Sequence, residues 1–179
     1  PEAATPEKQI EIINQLVAQN VAGIAIAAND ADALQPALTE AMDAGIKVIS
    51  LDSAVNKDSR QTHIQQADPE KIGRGLIQAA YEMVDGNGGI AVLSATAQAT
   101  NQNLWIEWMK KELEENPEKY ANTPLVKVAY GDDDPTKSTS ETQALLTDSS
   151  IKVIIAPTTV GMLAAGKVLQ DKQSDVKLT

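Results

Sequence analysis

The run Gly45-Ile46-Lys47-Val48-Ile49-Ser50-Leu51-Asp52 constrains the possible folds of this chain more than any other stretch. A helical pattern stops at Gly45, a mostly apolar strand follows, and the strand ends on a carboxylate. Ile46, Val48, Ile49 and Leu51 read as a strand buried on both faces, which is how parallel strands read. Open α/β sheets bind ligands beyond the carboxyl ends of their strands, so Asp52 stands where a ligand contact belongs. An aspartate there can equally turn or cap the loop with Ser53. The run itself leaves both readings open.

The rest of the chain repeats this rhythm. A turn is expected at residues 1–5, then a helix with Thr5 as N-cap, Pro6 in the first turn, and Ile10, Ile13, Leu16 and Val17 at helical spacing. A short strand at 24–27 leads to a helix capped within 29–32, with Leu34, Leu38, Ala41 and Met42 inward and Pro36 placed in its first turn. A strand near 62–65 and a helix opened by Asp68-Pro69-Glu70 follow. Asp85-Gly86-Asn87-Gly88-Gly89 is the strongest breaker and sets the expected lobe boundary, 1–86 against 87–179. Strands at 90–94, 125–130 and 151–156 then alternate with three more helices, and a last strand lies at 176–179.

Short strands alternating with amphipathic helices mean βαβ units and parallel sheets. The expected architecture is α/β with two lobes, each a parallel sheet flanked by helices. The chain opens on a helix without a strand before it and stops within a strand, so a segment of a longer protein is expected.

Composition narrows the function classes. With 25 acidic against 15 basic side chains the formal charge is −10, which argues against nucleic acid or an anionic membrane as partner. No run nears the roughly 18 apolar residues of a membrane span, and no leader pattern is visible. Cysteine is absent and His63 is the single histidine, so thiolate or multi-histidine metal sites are excluded. His63 stands in a strand, away from any glycine-serine elbow, and reads as structural. Asp132, Asp133 and Asp134 lack the alternating ligands of a calcium loop and read as a solvated acidic turn that caps the helix after it. The glycines at 86–89 lack the Lys-Ser/Thr of a phosphate loop. No enzyme, metal or cofactor is expected.

The order Ala28-Asn29-Asp30-Ala31-Asp32-Ala33-Leu34, then the run to Asp52, resembles the first lobe of type I periplasmic sugar-binding proteins. Thr100-Asn101-Gln102-Asn103-Leu104-Trp105 and Ile154-Ile155-Ala156-Pro157-Thr158-Thr159-Val160-Gly161 resemble one branch of that family, the rhamnose-binding proteins and autoinducer-2 receptors. The resemblance runs along essentially the whole chain. It implies an extracytoplasmic, monomeric solute-binding protein that closes a cleft on a small sugar-like ligand and presents it to the membrane permease of an ABC transporter. It also implies the contacts: Asp52 accepts ligand hydroxyls, Asn101 and Gln102 match the pair after the first strand of the second lobe, and Pro157 and Thr159 match a backbone-contacting proline and a frequent alanine. Autoinducer-2 receptors usually carry Asp-Gln at the pair. The departures at Asn101 and Thr159 tilt the ligand toward a deoxy-sugar such as rhamnose. The family's lysine from the first strand would precede Pro1.

The residue chemistry agrees with a neutral polyol. An ionised aspartate is acceptor-only, while Asn and Gln both donate and accept. Plainer roles stand beside these: Asn101 as N-cap, Gln102 as a first-turn residue, and Thr158 or Thr159 as the cap of the next helix. Trp105 and Trp108, at i, i+3, read as packing in the second lobe before stacking on a sugar. The ligand-binding core of a sugar-responsive repressor shares this fold and is the alternative function, since fold alone does not choose.

Overall fold

The computed structural model describes residues 5–179, in which the chain divides into two compact units. The first is Pro1–Asp68 with Gln98–Asn101, and the second is Pro69–Ala97 with Gln102–Thr179. Of the turn expected at residues 1–5, all but Thr5 lies outside the described residues.

In the first unit, α1 (Pro6–Ala18) starts as its sequence requires. Thr5 is extended, its hydroxyl accepts from the Lys8 amide at 3.3 Å, and Pro6 opens the helix. α2 (Ala31–Asp43) is capped by Asp30, whose Oδ1 accepts from the amides of Asp32 and Ala33. It stops at Gly45, whose φ of +87° suits glycine. The Gly45 and Ile46 amides then return to the carbonyls of Met42 and Ala41, the Schellman closure. Pro36 lies inside α2, beyond its expected first turn, where the ring removes the amide that would bond back to Asp32.

β1 (Gly23–Ile26), β2 (Lys47–Leu51) and β3 (Thr62–Ile64) form a parallel sheet in the order β1-β2-β3. Ile24, Ile26 and Val48 bury one face against Ile13 of α1 and Leu34, Leu38 and Ala41 of α2. β2 was expected to be buried on both faces, and here the structure differs. Its residues alternate, because α1 and α2 share one core on one face. Leu51 and Ile64, side by side in register, are 40% and 57% exposed.

The second unit has the order β5-β4-β6-β7, all parallel, from β4 (Gly89–Ser94), β5 (Leu125–Tyr130), β6 (Ile151–Ile155) and β7 (Lys177–Leu178). All six residues of β4 are buried. Ile90 and Val92 pack with α3 (Pro69–Met83) and α4 (Thr100–Glu115) through Ile77, Ala80, Ile106 and Met109. Ala91 and Leu93 face the other layer, formed by α5 (Pro135–Leu145) and α6 (Thr159–Asp171) through Leu145 and Ala165. The glycine break at 86–89, where the lobe boundary was expected, lies inside this unit. The chain divides before α3 because Ile77 and Ala80 belong to the core beneath β4.

α3 and α4 meet at Gly73, where an added Cβ would lie 2.5 Å from the Trp105 carbonyl and the Trp108 Cβ. Beside it, Arg74 pairs with Glu70, Glu112 and Glu115 at 2.7–2.8 Å and lies over the Trp108 ring at 5.2 Å. Trp105 packs against the β4 core, so both tryptophans serve the second unit. No helix among the described residues is long and apolar enough to cross a membrane.

Two expectations follow from this helix pair. Gly73→Ala should destabilise by about 1–3 kcal/mol, since backbone and Cβ atoms at the crossing cannot move aside. An unchanged urea midpoint would contradict that contact. At Glu112, burial raises the pKa, but hydrogen bonds from Arg74 and Tyr120 prevail and hold it below the ordinary 4.5. A depressed carboxylate contributes stability above its unfolded pKa and loses it as pH falls through the folded value. Glu112→Gln should therefore lower the melting temperature at neutral pH and flatten its fall as the pH drops through and below the ordinary carboxylate range. Parallel melting curves for variant and parent over that range would refute the linkage.

Candidate functional site

Parallel pairing places the carboxyl ends of all strands of a sheet on one edge, and the sequence-derived site residues lie on those edges. In the first unit, β2 ends at Leu51 and the next residue, Asp52, has φ +57°. Left-handed backbone is uncommon outside glycine, and aspartate is among the residues that tolerate it. Asp52 is half-buried. Its Oδ2 lies 3.5 Å from both the Ser53 hydroxyl and the Asn101 Nδ2, at the outer limit of hydrogen bonding. Among the described residues the carboxylate has no cationic partner within 4.0 Å. Asn101, which belongs to the first unit, is thus brought beside Asp52. The turn with Ser53 is present, though too long to hold the loop by itself.

The neighbouring exits of this sheet are clamped by side-chain amides. Gln9 of α1 donates to the Ala27 carbonyl at 2.7 Å and accepts from the Asn29 amide at 2.9 Å. Asn56 donates to Asp32 and Gln35 of α2, both at 2.9 Å. The Ala28 amide reaches the Ser53 carbonyl at 3.1 Å, which ties the β1 exit to the β2 exit. His63 lies between the Ser50 hydroxyl (2.8 Å) and Gln65 Oε1 (2.9 Å), and Arg60 donates to the same hydroxyl at 3.0 Å. This is a structural network on the sheet, in line with the expected role of His63.

In the second unit, Gln102 closes the β4 exit. It is only 8% exposed, and its Oε1 accepts from the Ser94 hydroxyl at 2.8 Å and the Ala95 amide at 2.9 Å. That burial differs from a plain first-turn residue. Its α4 neighbour Asn103 donates to the Ala97 carbonyl at 2.8 Å and holds the same loop. At the β6 exit, Pro157 is half-buried, Thr158 buried and Thr159 exposed. Thr158 occupies the N-cap position of α6 without a capping bond, and its hydroxyl donates instead to the Asp133 carboxylate.

Asp133 is a participant the sequence reading passed over. The acidic run after Gly131 caps its helix as expected, but Asp132 and Asp133 are paired and not simply solvated. The Asp132 carboxylate pairs with Lys137 and holds that ammonium above its ordinary pKa. Asp134 caps α5 through the Lys137 amide at 2.6 Å. The available signal was position: this run follows β5 as Asp52 follows β2. No group of three or more His, Asp or Glu residues suited to a metal is found among the described residues.

Chemically these edges offer a carboxylate acceptor, an amide pair, a proline and hydroxyls. The periplasmic binding protein domain family model matches residues 1–179. An ABC transporter solute-binding protein from Clostridium phytofermentas, solved with bound L-rhamnose, is 51% identical with a TM-score of 0.93, over 98% of this chain and 55% of that one. A sugar ABC transporter structure from Actinomyces odontolyticus is 39% identical with a TM-score of 0.62, over 94% of this chain and 54% of that one. LsrB from Clostridium saccharobutylicum, in complex with AI-2, is 24% identical with a TM-score of 0.87, over 97% of this chain and 57% of that one, a likeness of fold alone. The chain therefore spans little more than half the length of these relatives. With its whole length matched by the family model, the chain belongs to the periplasmic binding protein domain family, among the relatives of sugar-binding proteins of ABC transporters.

Proposed function

We propose that this chain serves in an extracytoplasmic solute-binding protein that captures a small polyhydroxylated ligand and delivers it to an ABC importer. The ligand class favoured is a rhamnose-type deoxy-sugar. The observation that carries this reading is Asp52, a carboxylate held left-handed at a strand exit with no cationic partner within 4.0 Å among the described residues. A carboxylate placed so is an acceptor for a diol, and each ligand hydroxyl can donate to it. The 51% identity to a protein solved with L-rhamnose supports the same class.

In this reading Asp52 and Asn101 act together, as acceptor and donor. Gln102 keeps the β4 exit in shape while its amide lies among the contacts. Pro157 offers a rigid backbone carbonyl, and Thr159 an exposed hydroxyl. The protein works as a monomer, closes on its ligand, releases it unchanged to the permease, and catalyses nothing. Closure requires only that the ligand bind the closed state better than the open one.

The test is calorimetry of the full-length protein with L-rhamnose. Asp52→Ala should weaken binding by about 2–4 kcal/mol. Asp52→Asn, which keeps the left-handed tolerance and one acceptor, should weaken it in the same direction by less. Affinity within twofold of the parent in both variants would remove Asp52 from the site. The sugar should also be recovered intact after prolonged incubation, and a converted product detected by chromatography would overturn the transport reading.

A further inference from the structure

We infer that Asp133 is a positioning residue, which fixes the path of residues 157–159 by accepting the Thr158 hydroxyl before any ligand arrives. The inference rests on the reading of Pro157 and Thr159 as ligand contacts.

The bond is unusual in what it replaces. A threonine at an N-cap ordinarily turns its oxygen to the second or third amide of its own helix. Thr158 has the N-cap backbone, with φ −134° and ψ 138°, yet makes no such bond. Its hydroxyl goes instead to a carboxylate 25 residues earlier in the chain. Thr158 is 8% exposed, and its methyl packs so closely that a Cβ on Gly161 would lie 2.8 Å from it. Gly161 therefore leaves room for the Thr158 methyl, and the carboxylate holds the hydroxyl. The rotamer is fixed from both sides.

The other partner is equally fixed. Asp132 and Asp133 are successive left-handed residues, φ 53° and 49°. Such a pair persists where its surroundings over-determine it. Here the Asp132 amide donates to the Ala95 carbonyl and the Asp134 amide to the Gly131 carbonyl, both at 2.9 Å. Gly131 is closed in by Ser138, whose Cβ would stand 3.1 Å from any Cβ added at the glycine. The turn is thus anchored to α5 on one side and to the β4 exit on the other.

Topology gives the bond its leverage. β5 and β6 are not neighbours, since β4 lies between them. The Thr158–Asp133 bond therefore spans the carboxyl end of β4, where Gln102 already holds Ser94 and Ala95. The β4, β5 and β6 exit loops form one connected rim. A rim formed in advance spares the ligand the ordering of residues 157–159 on binding, which is where preorganisation raises affinity.

The experiment compares four variants of the full-length protein. Asp133→Gly keeps the left-handed backbone and removes only the acceptor. Asp132→Gly makes the same backbone change next door and spares the bond. Thr158→Val removes the donor, and Thr158→Ser restores it. Hydrogen exchange of the unliganded protein should quicken at residues 159–162 in Asp133→Gly and Thr158→Val, and remain at the parent rate in Asp132→Gly and Thr158→Ser. Calorimetry with L-rhamnose should show about tenfold weaker binding in the first two, no further loss when they are combined, and near-parental binding in the others. Unchanged exchange in Asp133→Gly would overturn the bond as a constraint. Altered exchange with parental affinity would overturn its part in binding. A parent protein that binds no L-rhamnose would count against the proposed ligand, while the exchange result would still decide the role of Asp133.

Discussion

Parallel strand pairing is the constraint on which the rest of this chain depends. It forces every connection to run back across a face of the sheet, which is why helices alternate with strands. It also collects the strand exits on one edge. β4 shows the consequence most fully. All six of its residues are buried, so the strand has no solvent face and its sequence is apolar up to its last residue. Chemistry is then available only where the strand ends. Ser94, the last residue of β4, is the first to carry a hydroxyl, and that hydroxyl is at once taken by Gln102.

The exits are held by a repeated device. A side-chain amide on a helix donates to or accepts from the backbone of a strand-exit loop: Gln9 at the β1 exit, Gln102 and Asn103 at the β4 exit. An amide suits this because it can satisfy a backbone N–H and a backbone C=O, either of which would be costly to leave unpaired in a partly buried loop. Each clamp comes from a helix that is itself packed on the sheet. The loops are thereby tied to the packed core.

What was legible in the sequence follows from which signals are local. Helix ends were readable because caps act within a few residues: Thr5, Asp30 and Gly45 hold the positions their chemistry suggests. Strands were readable because β-branched runs have few alternatives. The family resemblance was readable from loop order, and the match over residues 1–179 agrees with it. Three things were not local. The division of the chain turns on which core receives Ile77 and Ala80, and the pattern of α3 carries no address for its partner. The exposed face of β2 depends on where α1 and α2 pack, and an apolar run cannot report that. Thr158 was read as a cap candidate because its distant acceptor, Asp133, is invisible to any rule of nearby spacing.

The Asn101–Asp52 approach bears on why this chain departs from the Asp-Gln pair usual in the autoinducer-2 receptors it resembles. Asn101 Nδ2 stands 3.5 Å from Asp52 Oδ2. A second carboxylate at that distance would face the first with like charge, and two such groups resist ionising together. One would retain a proton, or a cation would be needed close by. Among the described residues no lysine or arginine lies within 4.0 Å of Asp52. An amide at residue 101 removes the conflict, since it turns a donor toward the carboxylate and keeps an acceptor for a hydroxyl. The Asp52–Asn101 pair then carries one formal negative charge and both donors and acceptors. Within the proposed reading, that balance suits a neutral sugar, whose hydroxyls each donate and accept.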